Sequence, residues 1–145
     1  WMPTYLNEFI LSRNEATNHF HIDFKISNIW VFTDPGHLKQ IMDNLCSNAL
    51  RYGNTTSHKV ILEIDMIYKS PCIRVLDHGD IIDKNTIKHL FEPFFTTSSS
   101  GTGLGLYISK ELAELNQATL NYSHTNNEKC FILCLPIADS SKIEI

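Results

Sequence analysis

Gly101-Thr102-Gly103-Leu104-Gly105-Leu106 places three glycines where a Ser- and Thr-rich loop passes into the apolar-periodic run Leu104 to Leu115. Glycines at such a junction let backbone N–H groups approach an anion without interference from Cβ, and the positive end of the helix dipole adds attraction. The run therefore reads as a phosphate seat. A structural reading stands beside it, in which Gly101 and Gly103 end a loop and Gly105 lets the helix pack closely.

Two polar constellations upstream weigh on that choice. The spacing predicts a helix over 34–50: Asp34 is a good N-cap, Pro35 suits a first helical residue, and Leu38, Ile41, Met42, Leu45, Ala49 and Leu50 recur at three- and four-residue intervals. On it Asn44, Asn48 and either Arg51 or Tyr52 fall at i, i+4 and i+7 or i+8, so amides, a guanidinium and a phenol share one stripe. An Asn oxygen can ligate a hard cation, Arg can meet phosphate oxygens, and Tyr can stack on a base. Solvated amides are the plain alternative, but Asn is a mediocre helix former, and two of them one turn apart favour a site. Further on, the apolar strand Cys72-Ile73-Arg74-Val75-Leu76 ends in Asp77-His78-Gly79, a carboxylate at a sheet edge able to accept from an exocyclic amine. Asp-x-Gly also closes many ordinary strand turns.

The order of these pieces is more specific than any one of them. Residues 34–52 resemble the N box of the GHKL ATPase superfamily, Asp77 to Gly79 its first glycine box, Phe91-Glu92-Pro93-Phe94-Phe95-Thr96-Thr97 its F box, and Gly101 to Leu106 its second glycine box. The F box and the glycine spacing resemble sensor histidine kinases rather than topoisomerases or mismatch-repair ATPases, and the short loop between them is similar to that of the nitrogen- and pilus-regulating kinases. The resemblance runs from about Ile22 to Pro136. It implies a two-layer α/β sandwich, the Bergerat fold, with a mixed and mostly antiparallel sheet and helices on one face. It further implies an ATP-binding catalytic domain whose partners are a histidine-bearing dimerisation domain of the same kinase and a response regulator downstream.

Carried over by position, the resemblance gives Asn48 the Mg2+ that bridges the ATP phosphates, and Asn44 a supporting role toward phosphate or metal. Arg51 stands where a Lys contacts phosphate, and Tyr52 lies beside the adenine. Asp77 takes the adenine amino group, with Gly79 giving the purine room. Gly101, Thr102, Gly103, Leu104, Gly105 and Leu106 line the triphosphate, and Phe91, Phe94, Phe95 and Thr97 belong to the F box that anchors a mobile lid. The chemistry implied is phosphoryl transfer to an incoming histidine nitrogen, achieved mainly by positioning and charge neutralisation. None of the seven histidines here sits in a His-Glu or His-Asp phosphoacceptor start, so the chain by itself should not phosphorylate itself. Asn44 also occupies the place of the Glu base of the hydrolytic members, so ATP hydrolysis should be slow.

Two positions depart from the pattern. Gly79-Asp80-Ile81 puts Ile where a second glycine is usual, and a branched residue cannot take a positive φ, so the loop must follow another path. Asn116-Gln117-Ala118 replaces His-Gly-Gly after the last helix, with Asn116 expected in the left-handed conformation as C-cap. Ile81 keeps alive an alternative function, a degenerate nucleotide-sensing or protein-interaction module without kinase activity.

At 145 residues, 43% hydrophobic and with net charge −4, the chain reads as one globular domain over 1–145, with a leading helical segment over 1–18 and a tail over 137–145. The charge argues against nucleic acid, and no run approaches the roughly 18 apolar residues that span a bilayer, so membrane contact by this stretch is not expected. The expected location is cytoplasmic, with any inner-membrane anchor elsewhere in a longer protein. Cys46, Cys72, Cys130 and Cys134 read as reduced core thiols. Strands are expected over 20–26, 29–32, 60–68, 72–77, 119–123 and 129–135, with Lys69-Ser70-Pro71 as a turn, a short helix over 85–90 and a helix over 104–115. The loop over 96–102 reads as a segment that orders with nucleotide or as a permanently mobile connector. There is no Gly-Lys-Ser/Thr for a P-loop, and the glycines follow a loop rather than a strand, which argues against a dinucleotide fold. The scattered histidines argue against zinc, and Asp80 and Asp83 read as a solvated turn.

Overall fold

The computed structural model describes residues 20–25, 29–53, 59–96, 103–124 and 128–137. The expected leading helix, Thr97, Gly101, Thr102 and the end of the tail lie outside the described residues. In chain order the elements are β1 (Phe20–Phe24), α1 (Pro35–Tyr52), β2 (Val60–Ile67), β3 (Ser70–Asp77), α2 (Lys84–Ile87), α3 (Gly105–Leu115), β4 (Thr119–His124) and β5 (Lys129–Cys134).

The strands form one sheet in the order β1-β2-β3-β5-β4. β1 pairs with β2 in parallel, and the other three pairings are antiparallel. Side-chain alternation gives each strand one apolar face: Val60, Leu62 and Ile64 of β2, Ile73 and Val75 of β3, and Phe131 and Leu133 of β5 are buried in the core. Against them lie Leu38, Ile41, Met42, Leu45 and Ala49 of α1 and Ala113 of α3. The result is a two-layer sandwich with a mixed, mostly antiparallel sheet, the GHKL fold.

Asp34 caps α1, its Oδ1 accepting from the His37 N–H at 3.0 Å, and the helix runs two residues past its expected end, so Arg51 and Tyr52 occupy its last turn. Four expectations change. Residues 29–32 form only the bridge Val31–Ile137; Pro136 has no N–H to extend a ladder there. The β2–β3 turn is the pair Tyr68-Lys69, both at positive φ (48° and 69°), which matches the strand twist and leaves Ser70 and Pro71 in β3. At the end of α3, Gln117 rather than Asn116 is left-handed (φ 57°). The Ala118 N–H bonds the Ala113 carbonyl at 2.9 Å and the Gln117 N–H that of Glu114 at 3.1 Å, a Schellman closure. Finally, Cys72 and Cys134 form a disulfide, since the register sets them directly opposite with Cα atoms 4.1 Å apart. Cys46 and Cys130, both buried, lie outside that disulfide.

Candidate functional site

Between the last turns of α1, the start of α3 and the ends of β3 and β5 lies a cleft of about 560 Å3. Asn44, Ser47, Asn48, Arg51 and Tyr52 form one wall, Gly103, Gly105 and Leu106 another, with Ile81, Ile82, Leu90, Phe95, Lys129 and Phe131 closing it. The volume is that of a small-molecule site. The i, i+4 and i+8 spacing on α1 thus places both amides and the phenol along one side of a shared hollow, beside the glycine segment.

Asn44 ties the walls together. Its Nδ2 donates to the Gly105 carbonyl at 3.2 Å and to Ser109 Oγ at 3.0 Å, while Ser109 Oγ donates to the same carbonyl at 2.8 Å. Ser109 is fully buried. It was not singled out from sequence, although its place one turn after Gly105 was available as a signal. The Asn44 amide is thus occupied in holding the glycine segment against α1.

The F box folds back onto that segment. The Phe94 N–H donates to the Gly103 carbonyl at 2.9 Å, with Phe94 at φ 65° and Gly103 at φ 75°. A Cβ on Gly103 would meet the Phe94 backbone at 2.4 Å, so only glycine fits. Phe91 packs edge-on against Phe131 and Phe95 faces the cleft, whereas Phe94 is 74% exposed and anchors through its backbone alone. Gly105 differs: a Cβ there would meet only Asn44, at 3.8 Å, which leaves close helix packing without a role for this glycine.

Asp77 is 2% exposed and sits behind the cleft wall, not on it. Its Oδ1 accepts from the Gly79 N–H at 2.9 Å and faces Lys129 Nζ at 3.7 Å. Burial pushes its carboxyl above the ordinary carboxylate range, against the opposing pull of the Gly79 N–H and Lys129. The room left by Gly79 is taken by the protein: an added Cβ would meet the Tyr52 carbonyl at 2.0 Å. Ile81, in the place of a second glycine, is 38% exposed and presents an apolar side chain to the cleft. Asp83 caps α2, accepting from the Thr86 N–H at 2.8 Å, and those bonds hold its carboxyl below the ordinary range. Lys129 was missed from sequence; a lone cation opening an otherwise apolar strand was the available signal.

Among the described residues no cluster of three His, Cys, Asp or Glu side chains is placed to hold a metal. The amide of Asn48 on the cleft wall fits a cation that takes its other ligands from phosphates and water.

An asparagine-bearing helix laid against a glycine-opened helix over a mixed sheet, with a buried acid behind the wall of the cleft they enclose, defines the ATP-binding sandwich class. The chain belongs to the histidine kinase-, DNA gyrase B- and HSP90-like ATPase family, whose model matches residues 33–139. The sensor protein kinase PilS of Pseudomonas aeruginosa is 36% identical over 126 residues, 84% of this chain and 24% of that protein. The sensor histidine kinase YvrG of Bacillus subtilis is 34% identical over 113 residues, 74% of this chain and 18% of that protein. The chain therefore spans about a quarter or less of these relatives. Among solved structures, the catalytic domain of histidine kinase ThkA superposes with a TM-score of 0.80 at 24% identity, covering 93% of this chain and 91% of that one.

Proposed function

We propose that this chain is the ATP-binding catalytic domain of a sensor histidine kinase, presenting the γ-phosphoryl group of ATP to a histidine on a separate dimerisation domain, with a response regulator downstream. The observation that carries this reading is the bond from Asn44 to Gly105, which joins the amide stripe of α1 to the glycine start of α3 around one cleft. In it, Asn48 supplies an amide oxygen to Mg2+ arriving with the nucleotide, and Arg51 meets phosphate. Gly103, Leu104, Gly105 and Leu106, with Gly101, Thr102 and Thr97 beyond the described residues, form the phosphate side, where α3 directs its N–H groups. Tyr52 and Ile81 flank the base, and Asp77 accepts its exocyclic amine. Mg2+ neutralises the triphosphate charge when bound; positioning falls to these side chains. We place the domain in the cytoplasm, where the reducing thiol pool would convert the Cys72–Cys134 disulfide of the structure to a dithiol pair.

Titration calorimetry with ADP, with and without Mg2+, tests the proposal. Binding that Mg2+ strengthens is expected, and Asp77→Asn should weaken it at least tenfold, on the order of 1 to 3 kcal/mol. Absence of heat would favour the second reading, a degenerate module, for which the intrusion of Ile81 into the cleft is the specific observation.

A further inference from the structure

Lys129 opens β5 directly across from Asp77 of β3, and although only 5% of its side chain is exposed it lines the cleft in front of that acid. Its Nζ stands 3.7 Å from Asp77 Oδ1 and 5.8 Å from the centre of the Tyr52 ring. At 3.7 Å the pair is ionic without being a short hydrogen bond. An ammonium has three donors, and burying them unfilled is costly. Lys129 therefore brings an ammonium donor to the cleft, with the Asp77 carboxylate immediately behind it.

The edge of adenine around C6 offers the complement, an exocyclic amine flanked by ring nitrogens N1 and N7 that can only accept. We infer that Lys129 is a base-contacting, specificity-determining residue whose ammonium donates to a ring nitrogen flanking the amine that Asp77 accepts. This rests on the nucleotide reading proposed above. It gives Lys129 a task beyond balancing the charge of Asp77: two adjacent bonds fix the base in its plane, where one would leave it free to pivot.

Affinities of the 145-residue chain for ADP, 1-deaza-ADP and 7-deaza-ADP decide the matter, because each analogue replaces one ring acceptor by C–H and leaves the amine in place. The wild-type chain should bind one of the two analogues about tenfold more weakly than ADP, the loss of one hydrogen bond of about 1.4 kcal/mol. Lys129→Met, of similar length and uncharged, should bind ADP about as weakly as that analogue and discriminate among the three no longer. Equal affinity of the wild type for all three ligands overturns the inference, as does discrimination retained in Lys129→Met. Should that variant fail to fold, Lys129→Gln takes its place, and equal affinity of the wild type for all three ligands still overturns the inference. Failure of the underlying nucleotide reading looks different: no heat with any of the three, and this inference falls with it.

Discussion

One methyl group distinguishes the roles of two glycines in the cleft. In Gly79→Ala the new Cβ would lie 2.0 Å from the Tyr52 carbonyl, backbone that cannot swing aside, so the end of α1 must move away from the β3 turn. A loss of about 2 to 4 kcal/mol is expected, read as a lower urea midpoint. Gly105→Ala adds a Cβ that meets nothing closer than 3.8 Å, and alanine favours the helix, so stability should hold. ADP affinity should nevertheless fall at least fivefold if phosphates approach that backbone; unchanged affinity would remove Gly105 from the phosphate site. Cys130 makes a third residue-scale case. Burial raises its thiol to about 12, against about 8.5 in an unfolded chain. Below about pH 8.5 both states keep the proton and the contribution to stability is complete; above it only the unfolded state releases the proton, so stability falls toward pH 12 at up to about 1.4 kcal/mol per pH unit. Melting between pH 8 and 10.5 should show a steeper decline for the wild type than for Cys130→Ala, and parallel declines would contradict it.

At the scale of elements, Asn116 joins the end of α3 to the start of α1. Its Oδ1 accepts from the Asp34 N–H at 2.8 Å and Thr33 Oγ1 at 3.3 Å, while Nδ2 donates to the Leu112 carbonyl at 2.7 Å and lies 3.0 Å from His37 Nδ1. Asn116→Ala should cost about 2 to 3 kcal/mol in urea unfolding, since it strands several partners at once; a loss below about 0.5 kcal/mol would show that water replaces them. The sequence showed a polar residue at that point but assigned it the wrong means, a left-handed backbone in place of a side-chain clamp. The contrast with α1 is instructive: cap, proline and apolar period are all local, so the helix and its amide stripe were legible within two residues. Long-range register was not. The opposition of Cys72 to Cys134 and of Asp77 to Lys129 both follow from how β3 meets β5, and no local signal fixes how two such apolar strands align. The β2–β3 turn was misplaced for a related reason, because Tyr68 and Lys69 carry none of the Gly or Asn chemistry that usually marks two positive-φ residues.

For the molecule as a whole, the arrangement of the cleft determines what it can do alone. Phosphoryl transfer requires the attacking atom within about 3 to 3.5 Å of phosphorus and in line with the leaving oxygen. Among the described residues no histidine lines the cleft: His89 pairs with Glu92 at 2.8 Å, and His37 is held beside Asn116. Water attack has no base at the Asn44 position either. Asn44 has no proton-accepting carboxylate, and its amide is spent on Gly105 and Ser109. Incubation of the chain with Mg-ATP should therefore yield neither acid-labile, alkali-stable phosphoprotein nor phosphate release above about twice the enzyme-free rate. Adding a histidine-bearing helical dimerisation domain of a sensor kinase should produce phosphohistidine on the added domain and none on this chain. Label on this chain would mean that one of its own histidines reaches the γ-phosphorus, whereas steady phosphate release without label would point to a general base other than Asn44. Label on neither protein, with ADP binding intact, would leave a cleft that holds nucleotide without presenting it, which is the behaviour of the degenerate module.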